Sequence, residues 1–323
     1  MKKTLLTFIA FFSLVLSQEY NIEDLLEQDG VFIKKFSDEE VNGKVYVMYG
    51  DTKVYLGKMK KGKQDGTWIE WYENGLKRSK TVYFKGLVNG KREWWSEYGK
   101  MDSSGTYKDG KLNGKWTSWH ENGQKEYEGT YRDGKREGLS TWWRGDGQKR
   151  LERTFKVGKL DGLMTEWYEN GQTRWEATFK DGKEDGLYTI WYENGQKEKE
   201  GTYKDGKEDG LWTDWNEYGQ VVEETVFDLG NLMNRKEYDY YPTGEVYTIE
   251  TNDGIITYYS IKGEIEKETK NGKIWNGKLT EWWNDDNKKK EISYKDGKLN
   301  GLYTFWYENG QTRYEKTYKN GKL

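Results

Sequence analysis

The chain has 323 residues, with 53 Lys and Arg against 56 Asp and Glu, one His, one Pro, no Cys, 39 Gly, 17 Trp and 26 Tyr. The lack of Cys excludes a disulfide framework and thiol chemistry, and interspersed, nearly balanced charges leave no basic footprint for nucleic acid. At 33% hydrophobic and 34% charged the chain is too polar for one thick core, yet too aromatic for a disordered one.

Residues 1–17 read as a secretory signal peptide: Lys2 and Lys3, an apolar run from Leu5 to Leu16, then Ser17 before a cleavage at Gln18. The run is shorter than the roughly 20 residues a membrane span needs. It predicts an exported protein, in the periplasm, on the outer surface or in the medium. Residues 18–61 form an N-terminal cap with a degenerate first hairpin. Ile22, Leu25 and Leu26 line one side of a short helical turn within Asn21–Glu27, and Val45–Tyr49 and Lys53–Lys58 are strand-like. Repeat arrays need such an atypical element over the open end.

From residue 62 to 230 one phrase returns every 24 residues. Glycines recur at Gly62, Gly86, Gly110, Gly134, Gly158, Gly182, Gly206 and Gly230, and a second series runs from Gly66 to Gly210. Five residues after each of the second series stands a tryptophan: Trp71, Trp95, Trp119, Trp143, Trp167, Trp191 and Trp215, with Trp282 and Trp306 later in the chain. Such a period marks a repeat array. Each unit has two strand-like halves. One follows the second glycine, and Glu-Asn-Gly (Glu193–Gly195, for example) joins it to the other, which closes on Lys-Asp-Gly-Lys, as at Lys204–Lys207. Asn-Gly and Asp-Gly between alternating flanks are strong hairpin signals because both residues tolerate positive φ. The expected fold is all-β: an elongated, single-layer antiparallel meander of tandem hairpins, some 22 strands over roughly 100 Å.

The pleat assigns the faces. Glu128, Thr130 and Arg132 alternate with Tyr127, Gly129 and Tyr131, so one face is polar and the other aromatic and small. Gly105, Gly129, Ala177 and Gly201 leave room for a neighbouring ring, and the recurring tryptophan is the expected partner. A ring present in every unit has the same structural task in every unit. Residues 231–276, with Pro242, hold shorter, degenerate units, and regular spacing resumes over 277–323. A bare edge strand after the last unit would offer a pairing edge to another chain.

The phrase Tyr-Glu-Asn-Gly-Gln, then Gly-Thr-Tyr-Lys-Asp-Gly-Lys and Asp-Gly-Leu-Trp-Thr, resembles the bacterial variant of the MORN repeat, as gathered in YwqK-family antitoxin-like proteins. The resemblance spans about Gly43 to Leu323. It implies hairpin repeats in one twisted sheet and brings no catalytic residues with it. Export does not suit an antitoxin against a cytoplasmic toxin. MORN repeats elsewhere are linked to membrane lipids and to scaffolding, and no motif of this chain ties it to lipid.

Chemistry-bearing constellations are sparse. His120 takes the turn position held by Tyr72, Tyr168 and Tyr192 in other units, a surface substitution without the partner that acid–base work needs. The Lys180–Gly186 run lacks the alternating oxygen ligands of a calcium loop and is explained by its turns. No catalytic, cofactor-binding or metal-ligating set emerges, and no enzyme is expected. The expected function is a protein-interaction scaffold of the cell envelope or extracellular space, acting through multivalent weak contacts. Two alternatives remain: carbohydrate or choline binding, in which rings stack on sugar or cage a quaternary amine, and an immunity role. Tyr72, Tyr168, Tyr192 and Tyr307, just before the turns, are the candidate partner contacts.

Overall fold

Two turn chemistries alternate along the chain and generate the meander. At the Asp-Gly corners both central residues are left-handed, with φ 50° at Asp181 and 91° at Gly182. This is the type I′ geometry that matches strand twist. The Glu-Asn-Gly corners differ from the expectation that both residues would have positive φ. Gly195 has φ 83°, while Asn194 is not left-handed. Gly195 N–H donates to Tyr192 O at 2.9 Å, and Tyr192 N–H donates to Gln196 O at 2.9 Å. That is a three-residue loop ending in a glycine bulge, and it shifts the register between Ile190 and Trp191. The asparagine is there for its side chain. Asn194 Oδ1 accepts from Gln196 N–H at 2.9 Å, an Asx turn that fixes the loop.

The structure, a computed structural model, describes residues 18–260, 263–283 and 287–323, so the signal-peptide expectation for 1–17 lies outside the described residues. Twenty-five strands belong to one sheet in which strands adjacent in sequence pair antiparallel. The exception is Glu19–Asn21, which runs parallel to Gly43–Tyr49. A separate two-stranded sheet pairs Leu25–Gln28 with Val31–Lys34. The chain divides into two compact units, Met1–Arg150 with Thr154–Lys159, and Leu151–Arg153 with Leu160–Leu323.

In the first unit, residues 18–42, the part of the expected 18–61 cap that matches no repeat, are built differently from the helical turns read from sequence. A single 3-10 turn, Ile22–Asp24, leads into the small hairpin. Val41 and Phe32 bind the hairpin to the first corner: Phe32 N–H donates to Gly62 O at 2.7 Å and Gly62 N–H to Val41 O at 2.9 Å. Leu25, Val41, Val45, Met59 and Trp68 are buried together, with Tyr20, Ile22, Phe32, Leu56 and Tyr83 packed around them. The cap thereby covers the face bearing Trp68.

In the second unit Gly186 and Gly210 sit in bulges. Asp185, Gly186 and Leu187 together oppose the single Thr178, between the pairs Ala177↔Tyr188 and Phe179↔Glu184. Gly186 has φ 123°, a conformation open mainly to glycine, and a Cβ there would lie 3.1 Å from the Thr178 Cβ. Residues 231–276, expected as degenerate units, continue the meander as Asn231–Tyr240, Val246–Thr251, Ile255–Tyr259 and Ile265–Lys270 and lead into Lys273–Trp282.

Corner strain is not uniform. In the first unit Val157, a β-branched residue, is left-handed with φ 50°, where Asn or Asp is far better tolerated. Val157→Asn is expected to stabilise the protein by about 1 kcal/mol, read as a higher urea midpoint at unchanged slope.

Candidate interaction surface

The pleat and the register place three rows on the polar face of the second unit. Along the strand Lys183–Trp191, the residues Leu187, Thr189 and Trp191 project to one side. Their counterparts in the flanking units are Leu163, Thr165 and Trp167, and Leu211, Thr213 and Trp215. The middle row is continuous: Thr165 pairs with Glu176, Glu176 with Thr189, Thr189 with Glu200, Glu200 with Thr213 and Thr213 with Glu224. Thr165 and Thr189 hydroxyls donate to Glu176 at 3.2 Å and Glu200 at 3.3 Å, which satisfies hydroxyls that are otherwise buried. The leucines stand clear, Leu163 at 49% exposed and Leu187 and Leu211 at 53%, while Thr189 is 1% exposed. The leucine row flanks this strip of buried threonines and half-buried glutamates, and the strip crosses the strands as a shallow groove.

The recurring tryptophans form the other wall of that groove, on the polar face. They are not the rings that cover the glycines, as the sequence suggested. That task falls to the residue three positions earlier. A Cβ on Gly201 would lie 2.1 Å from Trp212 Cδ2, and one on Gly105 would lie 2.6 Å from Trp116 Cε3. Trp68 covers Gly57 in the same way. Trp71, Trp95, Trp119, Trp143, Trp167, Trp191, Trp215 and Trp306 are half-buried, and Trp282 is 50% exposed. Lysines from the adjoining strands cap several of them, with Lys77 Nζ 5.9 Å from the Trp95 ring centre, Lys125 5.6 Å from Trp143 and Lys197 5.8 Å from Trp215. The cation site over those rings is thus already occupied from within the chain.

The tyrosines singled out from sequence have a definite place. Tyr72, Tyr168 and Tyr192 hydroxyls donate to the Trp95, Trp191 and Trp215 carbonyls, at 2.8, 2.7 and 2.8 Å. Asn74, Asn170 and Asn194 Nδ2 donate to the Glu97, Glu193 and Glu217 carbonyls. Consecutive corners on one edge are two strands apart, about 9.6 Å, and these side chains bridge that gap. His120 Nε2 lies 3.0 Å from Trp143 O, so histidine keeps the tyrosine's bridge. Tyr307 is 49% exposed, with the Arg313 guanidinium 5.5 Å from its ring centre. Tyr192→Phe deletes one bridge and leaves the Trp215 carbonyl without it; the expected loss is about 1 kcal/mol in denaturant unfolding. The sequence signal for this role was the Tyr-Glu-Asn-Gly phrase itself, but the partner lies 23 residues away.

The opposite edge is laced likewise. Gly182 and Gly206 N–H donate to the Leu160 and Glu184 carbonyls at 2.8 Å, and Asp205 N–H donates to Asp185 Oδ2 at 3.2 Å. On the aromatic face, Trp175, Tyr188, Tyr203 and Trp212 form a contiguous cluster, with ring centres 5.8 Å (Trp175–Tyr188), 5.3 Å (Tyr188–Tyr203) and 5.0 Å (Tyr203–Trp212) apart. Burial, with the Glu208 charge beside it, raises the Tyr203 hydroxyl above its ordinary range. The Tyr314 hydrogen bond, with burial, pushes Tyr303 up to about 12. Hydrogen bonds from Lys288 and Lys278 hold the Glu291 carboxyl below its usual range. Among the described residues no group of three or more His, Cys, Asp or Glu is arranged to hold a metal ion.

The MORN repeat variant model matches residues 64–84, 112–133, 160–181, 184–205 and 299–320. No curated protein matches the chain. Among solved structures, the TcdB2-TccC3-Cdc42 crystal structure is similar at 15% identity and TM-score 0.23, over 78% of this chain and 14% of that one. The Photorhabdus luminescens Tc holotoxin pore is similar at 10% identity and TM-score 0.19, over 89% of this chain and 18% of that one. The chain thus spans less than a fifth of those chains. Each matched segment begins in the first strand of a hairpin and ends at or near the corner after its second strand, so the MORN repeat variant model matches one hairpin at each of those five places.

Proposed function

We propose that the chain is an exported, non-enzymatic scaffold that holds protein partners on the polar face of its repeats. The observation that carries this reading is the row of leucines at Leu163, Leu187 and Leu211, about half exposed in three consecutive units. Scattered surface leucines are ordinary, but an aligned apolar row at constant spacing is an interaction feature. Identical units present identical weak contacts, and simultaneous engagement multiplies them. MORN repeats in general mediate interactions with proteins or membranes, which supports the same reading.

Two features weigh against sugar or choline binding. The hydroxyls of Tyr72, Tyr168 and Tyr192 are engaged in corner bridges, and internal lysines cap several ladder tryptophans. Residues 18–323, immobilised and exposed to a cell-envelope extract, are expected to retain a specific protein. Leu187→Glu should lower that retention at least tenfold. Retention of polysaccharide alone, displaced by free sugar or choline, overturns the proposal.

A further inference from the structure

The groove of the second unit has a measure and a charge. Its period is two strand spacings, about 9.4–9.8 Å. A polyproline II helix advances about 9.3 Å per turn of three residues, so every third side chain of such a segment meets an equivalent place in the next repeat. An extended β-strand, at about 3.3 Å per residue, also reaches roughly 10 Å in three residues, but its side chains alternate with period two, so every third one points the opposite way. A ligand whose own repeat is three residues is the one that stays in phase.

The walls and floor select its composition. Leu163, Leu187 and Leu211 make one wall and Trp167, Trp191 and Trp215 the other, with Lys197 standing over the Trp215 ring at 5.8 Å. Apolar and aromatic walls receive proline rings, which reach the bound form with little loss of entropy. The floor carries Glu176, Glu200 and Glu224, one carboxylate per repeat. Glu176 accepts from the Thr165 hydroxyl and, among the described residues, takes no lysine or arginine. Glu200 holds Lys197 at 2.5 Å, and Glu224 stands 3.8 Å from Lys236. The floor is therefore negative and incompletely neutralised.

We propose that this groove, over residues 160–228, binds a proline-rich segment of a partner protein in the polyproline II conformation, with a lysine or arginine at every third residue. The assignment rests on the scaffold reading above and names its partner class. Prolines lie against the leucine and tryptophan rows, and the basic side chains descend to the glutamates.

The probe is a labelled (Pro-Pro-Lys)5 peptide titrated into residues 18–323 and followed by fluorescence anisotropy. Controls are (Gly-Ser-Lys)5, of equal charge and length but flexible, and (Pro-Pro-Glu)5. Saturable binding of the first peptide is expected, with the flexible control at least tenfold weaker and the acidic one not bound. Leu187→Glu, at a half-exposed side chain, should weaken binding about tenfold or more, and Glu176→Gln, which removes the charge but keeps an oxygen for the Thr165 hydroxyl, should weaken it about threefold or more, while the far-ultraviolet spectrum and unfolding midpoint stay unchanged. Equal binding of the two lysine peptides, no binding of either, or insensitivity to Leu187→Glu overturns the proposal. Capture from the envelope extract of a protein without a proline-rich segment leaves the scaffold standing and sinks this inference alone. Capture of no protein at all sinks both.

Discussion

Trp212→Ala is expected to destabilise the second unit by about 3–5 kcal/mol, the largest effect of any single truncation there. Trp212 is 1% exposed. Its ring lies over Gly201, with Tyr203 edge-on at 5.0 Å and Tyr188 tilted at 5.5 Å. A sheet has few neighbours to move into the space that the indole leaves, so the loss combines transfer and cavity terms with little relief by collapse. Trp191→Ala, by contrast, removes a half-buried ring from the polar face, and about half that loss or less is expected. Urea unfolding of both variants, followed by tryptophan fluorescence and by far-ultraviolet circular dichroism, checks the ordering. A Trp191→Ala loss equal to or above that of Trp212→Ala would contradict the assignment of the covering ring. Because each repeat contacts mainly its neighbours, the Trp212 variant should also lose cooperativity, with the units around it unfolding first.

Gly201→Ala carries the second large effect, for a steric reason. Gly201 needs no left-handed backbone, and its φ lies outside that region. What forbids a side chain is the indole: an alanine Cβ would fall 2.1 Å from Trp212 Cδ2 and 2.4 Å from Cε2. The ring has to leave its place, and Tyr188 and Tyr203 with it. A loss of about 3 kcal/mol is expected, at the upper end for overpacking. The double variant Gly201→Ala, Trp212→Ala supplies the diagnostic measurement. With the ring gone, the alanine meets open space and restores some strand propensity, so the two losses should fall short of additivity by more than about 1 kcal/mol. Additive losses would mean that the glycine is required for some other reason. Ala177, the natural residue at the equivalent position one unit earlier, faces Met164 and Tyr188 across the sheet, and a methyl group is accommodated there.

The repeat period, the all-β class, the hairpins and their corners, and the division into a polar and an aromatic face were legible in the chain as written. They rest on local rules: positive φ at Asp-Gly, glycine after Asn, and alternation along a strand. Even the cap over residues 18–42 was recognisable as the segment that matches no repeat. Its folding as a hairpin rather than helical turns was not, because Leu25 and Phe32 are placed by long-range burial with Val41, Met59 and Trp68.

What only the tertiary structure decided lies between units. Tyr72, Tyr168 and Tyr192 precede the turns and resemble exposed contacts in the sequence, yet their hydroxyls are committed to carbonyls 23 residues away. Trp191 recurs in every unit and suggested the ring over glycine, yet the variable position three residues before it holds that place as Trp68, Trp116 and Trp212. The reason is common to both. Bulges at second-series glycines such as Gly114, Gly186 and Gly210, and others beside Asn-Gly corners, set which residue faces which neighbour, and register is a property of paired strands. Periodicity determined that a row of rings exists; the bulged ladder determined which row is buried over glycine and which stands beside the leucines on the open face.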